Sequence, residues 1–231
     1  MTIMLVTGGN KGLGRETARR LIKLGHTVYI GSRDAERGRV TAAELGAGLL
    51  VLDVTEDASV TAAAEELRRR EGRLDVLVNN AGVFEGVIGA AAATHLRAVL
   101  DVNVVGLMAV TYAFLPLLQE SHAPVIVNVS SSLGSFGVVT DSGRPESHHV
   151  TPVYSASKAA VNMLTAQYAK GLPQLRVNAV EPGFSATDLH GMTGQGIQSP
   201  EEGAEAIVRY ATIGPDGPTG TFADRGAPLP W

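Results

Sequence analysis

The sequence predicts an α/β protein: a doubly wound parallel sheet of about seven strands, helices on both faces, in a single domain over residues 1–231. Three observations predict it. Up to Asn80 the chain alternates short apolar runs with helical stretches. The connections between them are only a few residues long, as in β–α units that build a parallel sheet. The apolar runs also end in glycine, asparagine or serine, small residues that let backbone lie against a ligand at the carboxyl edge of such a sheet.

Composition sets the outer bounds. The chain of 231 residues is 45% hydrophobic and 18% charged, the balance of a globular protein with a sizeable core. A net charge of −4 gives no reason to expect nucleic acid or an anionic membrane as a partner. With no cysteine, disulfides, thiolate catalysis and Cys-ligated metals are excluded. No basic n-region precedes an apolar run at the start, so a cytoplasmic location is expected. The most apolar stretch, Val102–Leu118, is interrupted by Asn103, Tyr112 and Pro116 and falls short of a membrane span, so a buried helix is expected.

Ile3–Val6 reads as a buried strand, and Arg15–Leu24 as a helix stopped by Gly25. Between them lies Thr7-Gly-Gly-Asn-Lys-Gly-Leu-Gly14. Glycines allow a tight turn and close ligand approach, and a helix N-terminus offers free N–H groups to a phosphate. Gly8, Asn10, Lys11, Gly12, Leu13 and Gly14 are therefore candidate cofactor residues. Thr27–Ile30 is the second strand. In dinucleotide folds its end meets the adenosine ribose, where an acid accepts from a free 2′-hydroxyl and an arginine accommodates a 2′-phosphate. Here Ser32 stands at the acid's position and Arg33 follows; Lys11 adds a second positive charge. Asp34 precedes the helical run Ala35–Leu45 and is expected to be its N-cap.

Leu49–Leu52 is a third strand ending in Asp53-Val54, Val60–Arg70 an amphipathic helix, and Leu74–Val78 a fourth strand closed by Asn79-Asn-Ala-Gly82. Ala90–Gln119 reads as a long, mildly interrupted helix carrying Asn103 in apolar company. A buried asparagine must be hydrogen-bonded. Spacing alone leaves open whether it pins its own helix. Val125–Val129 is the fifth strand, opened by Pro124 and ending in Ser130-Ser-Ser132, where open sheets place their ligands. Gly134–Thr151 reads as a loop. The next helix, to about Lys170, starts near Tyr154, which shares a face with Lys158 four residues on. A lysine ammonium beside a phenol stabilises the phenolate, and a tyrosine shifted down from its usual ~10 can act as acid or base near neutral pH. Leu175–Val180 is the sixth strand, before Glu181-Pro-Gly183. Phe184–Ser199 looks like a small lid, Glu201–Thr212 is the last helix and Thr219–Phe222 a seventh strand.

Together Thr7-Gly-xxx-Gly-x-Gly14, Asp53, Asn79-Asn-Ala-Gly82, Asn103, Ser131, Tyr154-xxx-Lys158 and Pro182-Gly183 with Thr187 resemble the short-chain dehydrogenase/reductase superfamily, in order and over nearly the whole chain. The Asn-Lys-Gly turn and Ser-Arg-Asp after strand two are most like NADPH-dependent carbonyl reductases. The resemblance implies a Rossmann sheet, NADP(H) as cofactor and a small carbonyl or alcohol substrate. By the same resemblance, Ser131 would hydrogen-bond the substrate oxygen, Tyr154 would protonate it, and Lys158 would lower the Tyr154 pKa and bind the nicotinamide ribose. Asn103 would hold a relay water. Asp53 and Val54 would face the adenine, Asn80, Ala81 and Gly82 would line the ribose, and Thr187 would touch the nicotinamide amide, following Pro182 and Gly183. Two other functions are weighed against this one. A silent NADP(H)-binding sensor is disfavoured by the intact Ser131, Tyr154 and Lys158. A nucleotide-sugar epimerase or dehydratase would need a large C-terminal substrate domain, and 49 residues follow Pro182.

One departure stands out. Between Ser131 and Tyr154 lie 22 residues, more than the family usually has, and the excess is roughly 141–150. His148-His149, without nearby acids or further histidines, makes a poor metal site, so no metal is expected. Asp141, Arg144 and Glu146 are costly to bury unpaired. The insertion is expected to fold over the outer ends of the Asn103 and Tyr154 helices and to obstruct the family's usual pairing, leaving a monomer or a different dimer.

Overall fold

A computed structural model describes residues 1–84, 93–184 and 198–231. Strands β1 (Ile3–Val6), β2 (Thr27–Ser32), β3 (Gly48–Val51), β4 (Val76–Asn79), β5 (Val125–Val129), β6 (Arg176–Val180) and β7 (Phe222–Ala223) form one parallel sheet. Its order is β3-β2-β1-β4-β5-β6-β7. The strand order therefore reverses between β1 and β4, and the crevice for a ligand opens at the carboxyl ends of these two strands.

Helices cover both faces. On one lie α1 (Gly12–Lys23), α2 (Ala35–Leu45) and α8 (Pro200–Ala211), whose Ala18, Leu21, Ala42 and Ile207 pack on Met4, Val6 and Val127. On the other lie α3 (Asp57–Glu71), α4 (Ala93–Leu100), α5 (Leu107–Gln119) and α7 (Pro152–Gly171). There Leu67, Val110, Phe114 and Val161 pack on Leu5, Leu77 and Ile126. Strands covered on both faces read as continuous apolar runs rather than alternating ones, which is why β1, β4 and β5 are legible in the sequence. Asp34 caps α2 as expected, accepting from the Arg37 amide at 3.0 Å.

Several boundaries differ from the sequence reading. The long helix is α4 and α5 joined by a π-helical stretch, Asp101–Gly106, which contains Asn103. Its described part, His95–Gln119, is long and apolar enough to cross a membrane, more than the sequence reading allowed. Val110, Phe114, Leu117 and Leu118 are nevertheless buried against the sheet, as in a core helix. The seventh strand starts at Phe222, not Thr219, because Gly220 turns the chain with a φ of 69° and the Thr221 amide donates to the Asn178 side chain at 3.1 Å.

The loop Gly134–Thr151 holds a short helix, α6 (Phe136–Val139), and a 3₁₀ turn at Pro145–His148. The insertion does not lie where the sequence argument put it. Its Glu146 is buried, paired with Arg144 at 3.1 Å, and lies close enough to Ser132 to share a hydrogen bond with its hydroxyl. Its His149 ring rests on Phe184, with centroids 5.1 Å apart. The need to partner a buried carboxylate draws the segment to the mouth of the crevice. Val105 and Tyr112 on the Asn103 helix and Met163 on α7 stay exposed. Most of the lid at 184–199, with Thr187, lies outside the described residues.

Candidate active site

The glycine turn is built for a close approach. Gly8 and Gly12 adopt positive φ, 62° and 53°, conformations unfavourable to other residues. At Gly14 a Cβ would stand 2.5 Å from Asn80 Nδ2 and 2.6 Å from the Gly8 oxygen, so only glycine fits where α1 meets the β4 turn. Thr7 Oγ1 accepts from the Asn80 and Ala81 amides at 2.9 Å each, and Asn80 Nδ2 donates to the Thr7 oxygen at 2.8 Å. These bonds hold the two glycine-bearing turns of the switch point together. The Lys11 side chain at the N-cap of α1 makes no capping bond, and Gly12, Leu13 and Gly14 line the crevice there. Amides at a helix start suit an anion.

The crevice has a volume of about 590 Å³. It brings together Gly8, Asn10, Lys11, Gly12, Leu13, Gly14, Arg33, Asp53, Val54, Asn80, Ala81, Gly82, Ser131, Tyr154, Lys158, Pro182 and Gly183, nearly the whole set read from the sequence. Two predicted residues are placed differently. Ser32 is buried off the crevice, its hydroxyl donating to the Asp34 oxygen at 2.8 Å. Asn103 is also buried behind the wall. Its Oδ1 accepts from the Val83 amide at 2.9 Å, and its Nδ2 donates to the Val83 oxygen and to Ser157 Oγ, both at 3.0 Å. Rather than pinning its own helix, it ties the turn after β4 to α7.

At the other end α7 presents Tyr154 and Lys158. The Lys158 ammonium is 5.5 Å from the centre of the Tyr154 ring and donates to the Val129 oxygen at 2.8 Å. Burial brings its pKa down to about 8, against the opposing pull of Glu181. Phe84 meets the Tyr154 ring edge-on at 5.1 Å. Ser131 Oγ caps the turn Ser132–Gly134, accepting from the Leu133 amide at 3.2 Å. That turn rests directly on α7: a Cβ on Gly134 would stand 2.4 Å from the Lys158 carbonyl carbon. Ser130 Oγ donates to Asn162 Oδ1 at 2.6 Å, a second tie between β5 and α7.

Among the crevice residues that sequence reasoning passed over are two charged ones, Arg37 and Glu181. Arg37 lies on the rim with Arg33, ion-paired to Asp34 at 3.3 Å. Its signal was available, since it falls one helical turn beyond Arg33. Glu181 is a buried carboxylate at the end of β6. The signal for it was an acid between the apolar Val180 and Pro182-Gly183.

A crevice at the sheet's switch point, walled by a glycine turn and closed by a lysine-backed tyrosine, defines a dinucleotide-binding oxidoreductase. The chain belongs to the short-chain dehydrogenase family, whose model, described as short chain dehydrogenase, matches residues 2–197. Short-chain dehydrogenase anuI of Penicillium roqueforti is 38% identical over 92% of this chain and 89% of its own length. The (+)-neomenthol dehydrogenase of Arabidopsis thaliana is 33% identical over 96% of the chain and 95% of its own. The solved structure of salutaridine reductase from Papaver somniferum superposes with a TM-score of 0.84 at 29% identity, covering 97% of this chain and 99% of that one.

Proposed function

We propose that this oxidoreductase uses NADPH to reduce a ketone or aldehyde to an alcohol, with Tyr154 as the proton donor. The observation that carries the reading is that one crevice holds a cluster of cations at its β2 end and the Ser131, Tyr154 and Lys158 set at its β5 end. The residues fit a dinucleotide. The glycine turn leaves backbone room that a Cβ would fill, and the start of α1 suits a phosphate. Lys11, Arg33 and Arg37 would hold the 2′-phosphate, Asp53 and Val54 the adenine, and Asn80, Ala81, Gly82 and Lys158 the ribose at the reacting end.

Bound there, the cofactor supplies a hydride to the carbonyl carbon. The chain's own part is to place the oxygen and deliver a proton. Ser131 donates a hydrogen bond to the carbonyl oxygen, and Tyr154 gives that oxygen its phenolic proton as charge develops on it. The phenolate left behind faces the Lys158 ammonium, itself anchored on the Val129 carbonyl. Hydride and proton together complete the alcohol. Phe84, Phe184 and Leu133 at this end favour an apolar carbonyl compound over a charged one. Kinship with a neomenthol dehydrogenase and a salutaridine reductase supports a small-molecule substrate.

The test is a panel of apolar ketones and aldehydes, following NADPH oxidation alongside direct NADPH binding. Turnover with at least one member is the expected result. Tight NADPH binding with no turnover on any would instead favour the silent sensor.

A further inference from the structure

We propose that Glu181 is a positioning residue of this site: its carboxylate holds the serine turn and the Pro182-Gly183 turn together and is the buried counter-charge of Lys158. The role in catalysis rests on the reductase reading; the titration does not.

Glu181 directly follows β6, which lies beside β5. Its backbone amide donates to the Ala223 oxygen at 2.8 Å, so the residue is fixed at the edge of the crevice. One carboxylate oxygen accepts from the Gly183 amide at 2.7 Å, and the other from the Ser132 amide. A single side chain thus spans the turn after β5, which carries Ser131, and the turn after β6, which opens the far wall of the crevice. Its carboxylate also acts on Lys158, raising the ammonium's pKa while the ammonium lowers its own. Burial opposes both charges and leaves Glu181 above the usual carboxylate range and Lys158 below the usual ammonium range.

Packing alone does not call for an acid here. A buried carboxylate is costly unless hydrogen-bonded and paired. Two backbone donors and one buried cation are the partners that offset that cost. Among the described residues, Lys158 acts on Glu181 from α7, and the Ser132 amide and hydroxyl act on it from the serine turn. Beyond Ser132 lies the Arg144–Glu146 pair, which is internally compensated. Among the described residues, the charged group that acts directly on Glu181 is Lys158.

Removing the negative charge disfavours the Lys158 ammonium, so its titration moves down. The side-chain NMR resonance of Lys158 in the apo protein, assigned by its loss in a Lys158→Met counterpart, reports the Lys158 midpoint without cofactor or turnover. Glu181→Gln keeps the shape and removes the charge; its Lys158 midpoint should fall by at least about half a pH unit. Glu181→Asp keeps the charge on a shorter arm that cannot reach both amides. Its midpoint should stay put, while kcat drops about tenfold or more. A Glu181→Gln midpoint coincident with wild type, or an equal shift in Glu181→Asp, overturns the proposal. If Glu181→Gln does not fold, Glu181→Asp decides: an unchanged midpoint with reduced kcat supports it, and unchanged kcat overturns it. Wild-type protein inactive on every carbonyl compound would remove the reductase reading and leave the titration to judge Glu181.

Discussion

Asn103→Ala separates a tether from a proton relay. The wild-type side chain makes three buried hydrogen bonds, to the Val83 amide, the Val83 oxygen and Ser157 Oγ, at 2.9–3.0 Å. Ser157 Oγ in turn donates to the Tyr154 carbonyl at 2.7 Å, so the chain of contacts ends at the base of the Tyr154 turn. Alanine removes all three bonds and leaves two backbone groups and a hydroxyl short of a partner. At roughly 0.5–1.5 kcal/mol each, the loss is about 3 kcal/mol. For a chain of this size, 1 kcal/mol shifts Tm by about 2–4 °C, so Tm should fall by roughly 6–12 °C. Val83 leads into Phe84, which packs edge-on against Tyr154, so kcat should fall with it. Thermal unfolding by circular dichroism, with kcat at a temperature where the variant is folded, measures both. A kcat loss with a Tm within about 2 °C of wild type would refute the tether and favour the relay.

Four further outcomes are expected. Tyr154→Phe should lose about 10²–10⁴-fold in kcat while NADPH binding by fluorescence is unchanged; retention of more than about a tenth of kcat would rule out Tyr154 as the acid. Arg33→Ala should raise KM for NADPH about tenfold and leave NADH nearly unaffected, with a smaller effect for Arg37→Ala because Arg37 is already paired to Asp34; equal loss with both cofactors would place Arg33 away from the 2′-phosphate. Burial pushes the Glu146 carboxyl up, but the Arg144 hydrogen bonds and charge, a backbone amide and Ser132 together outweigh it, and the net pKa lies below the usual value. That stability is present above the ordinary carboxylate pKa and is lost as pH falls through the folded one, so Glu146→Gln should lower Tm at neutral pH by an amount that shrinks below about pH 4; a constant difference would refute it. Val105, Tyr112 and Met163 are exposed on helices that cover the same face of the sheet, so self-association through these helices is expected; light scattering should show an oligomer that Tyr112→Glu dissociates, and a monomeric wild type would refute it.

Much of this was legible because local chemistry and tertiary position agree. Val125–Val129 coincides with β5 to the residue, since Pro124 opens it and the serines close it. Ala35–Leu45 coincides with α2, since Asp34 and Gly46 mark its ends. The spacing of Tyr154 and Lys158 is weak evidence alone and becomes readable only together with the motifs upstream; the structure sets both on one crevice. The failures share a cause: they depend on which partner a polar side chain finds across the fold. Ser32 has the right position in sequence, but its hydroxyl bonds back to Asp34. Asn103 could equally have bonded within its helix, and only the approach of Val83 and Ser157 decides otherwise. The segment 141–150 carries charges that suggest an exposed cover, yet Glu146 is held inside by Arg144 and beside Ser132.

The polar groups behind the crevice form a seam that explains why the site is stiff. Asn79 Nδ2 on β4 donates to Thr111 Oγ1 on α5 at 3.1 Å and to Asn128 Oδ1 on β5 at 2.9 Å. Asn128 Nδ2 passes to Thr165 Oγ1 on α7 at 2.9 Å, and Ser130 Oγ joins Asn162 one turn nearer Tyr154. All of these side chains are buried, so each bond lost would leave a neighbour unsatisfied in a low-dielectric interior. Their satisfaction fixes α7 against the ends of β4 and β5 in one register. A proton donor must sit within hydrogen-bond reach of its acceptor, and small displacements are costly in rate. The seam, Asn103 and Glu181 therefore act on the same quantity from three sides: the position of Tyr154 and Lys158 relative to Ser131.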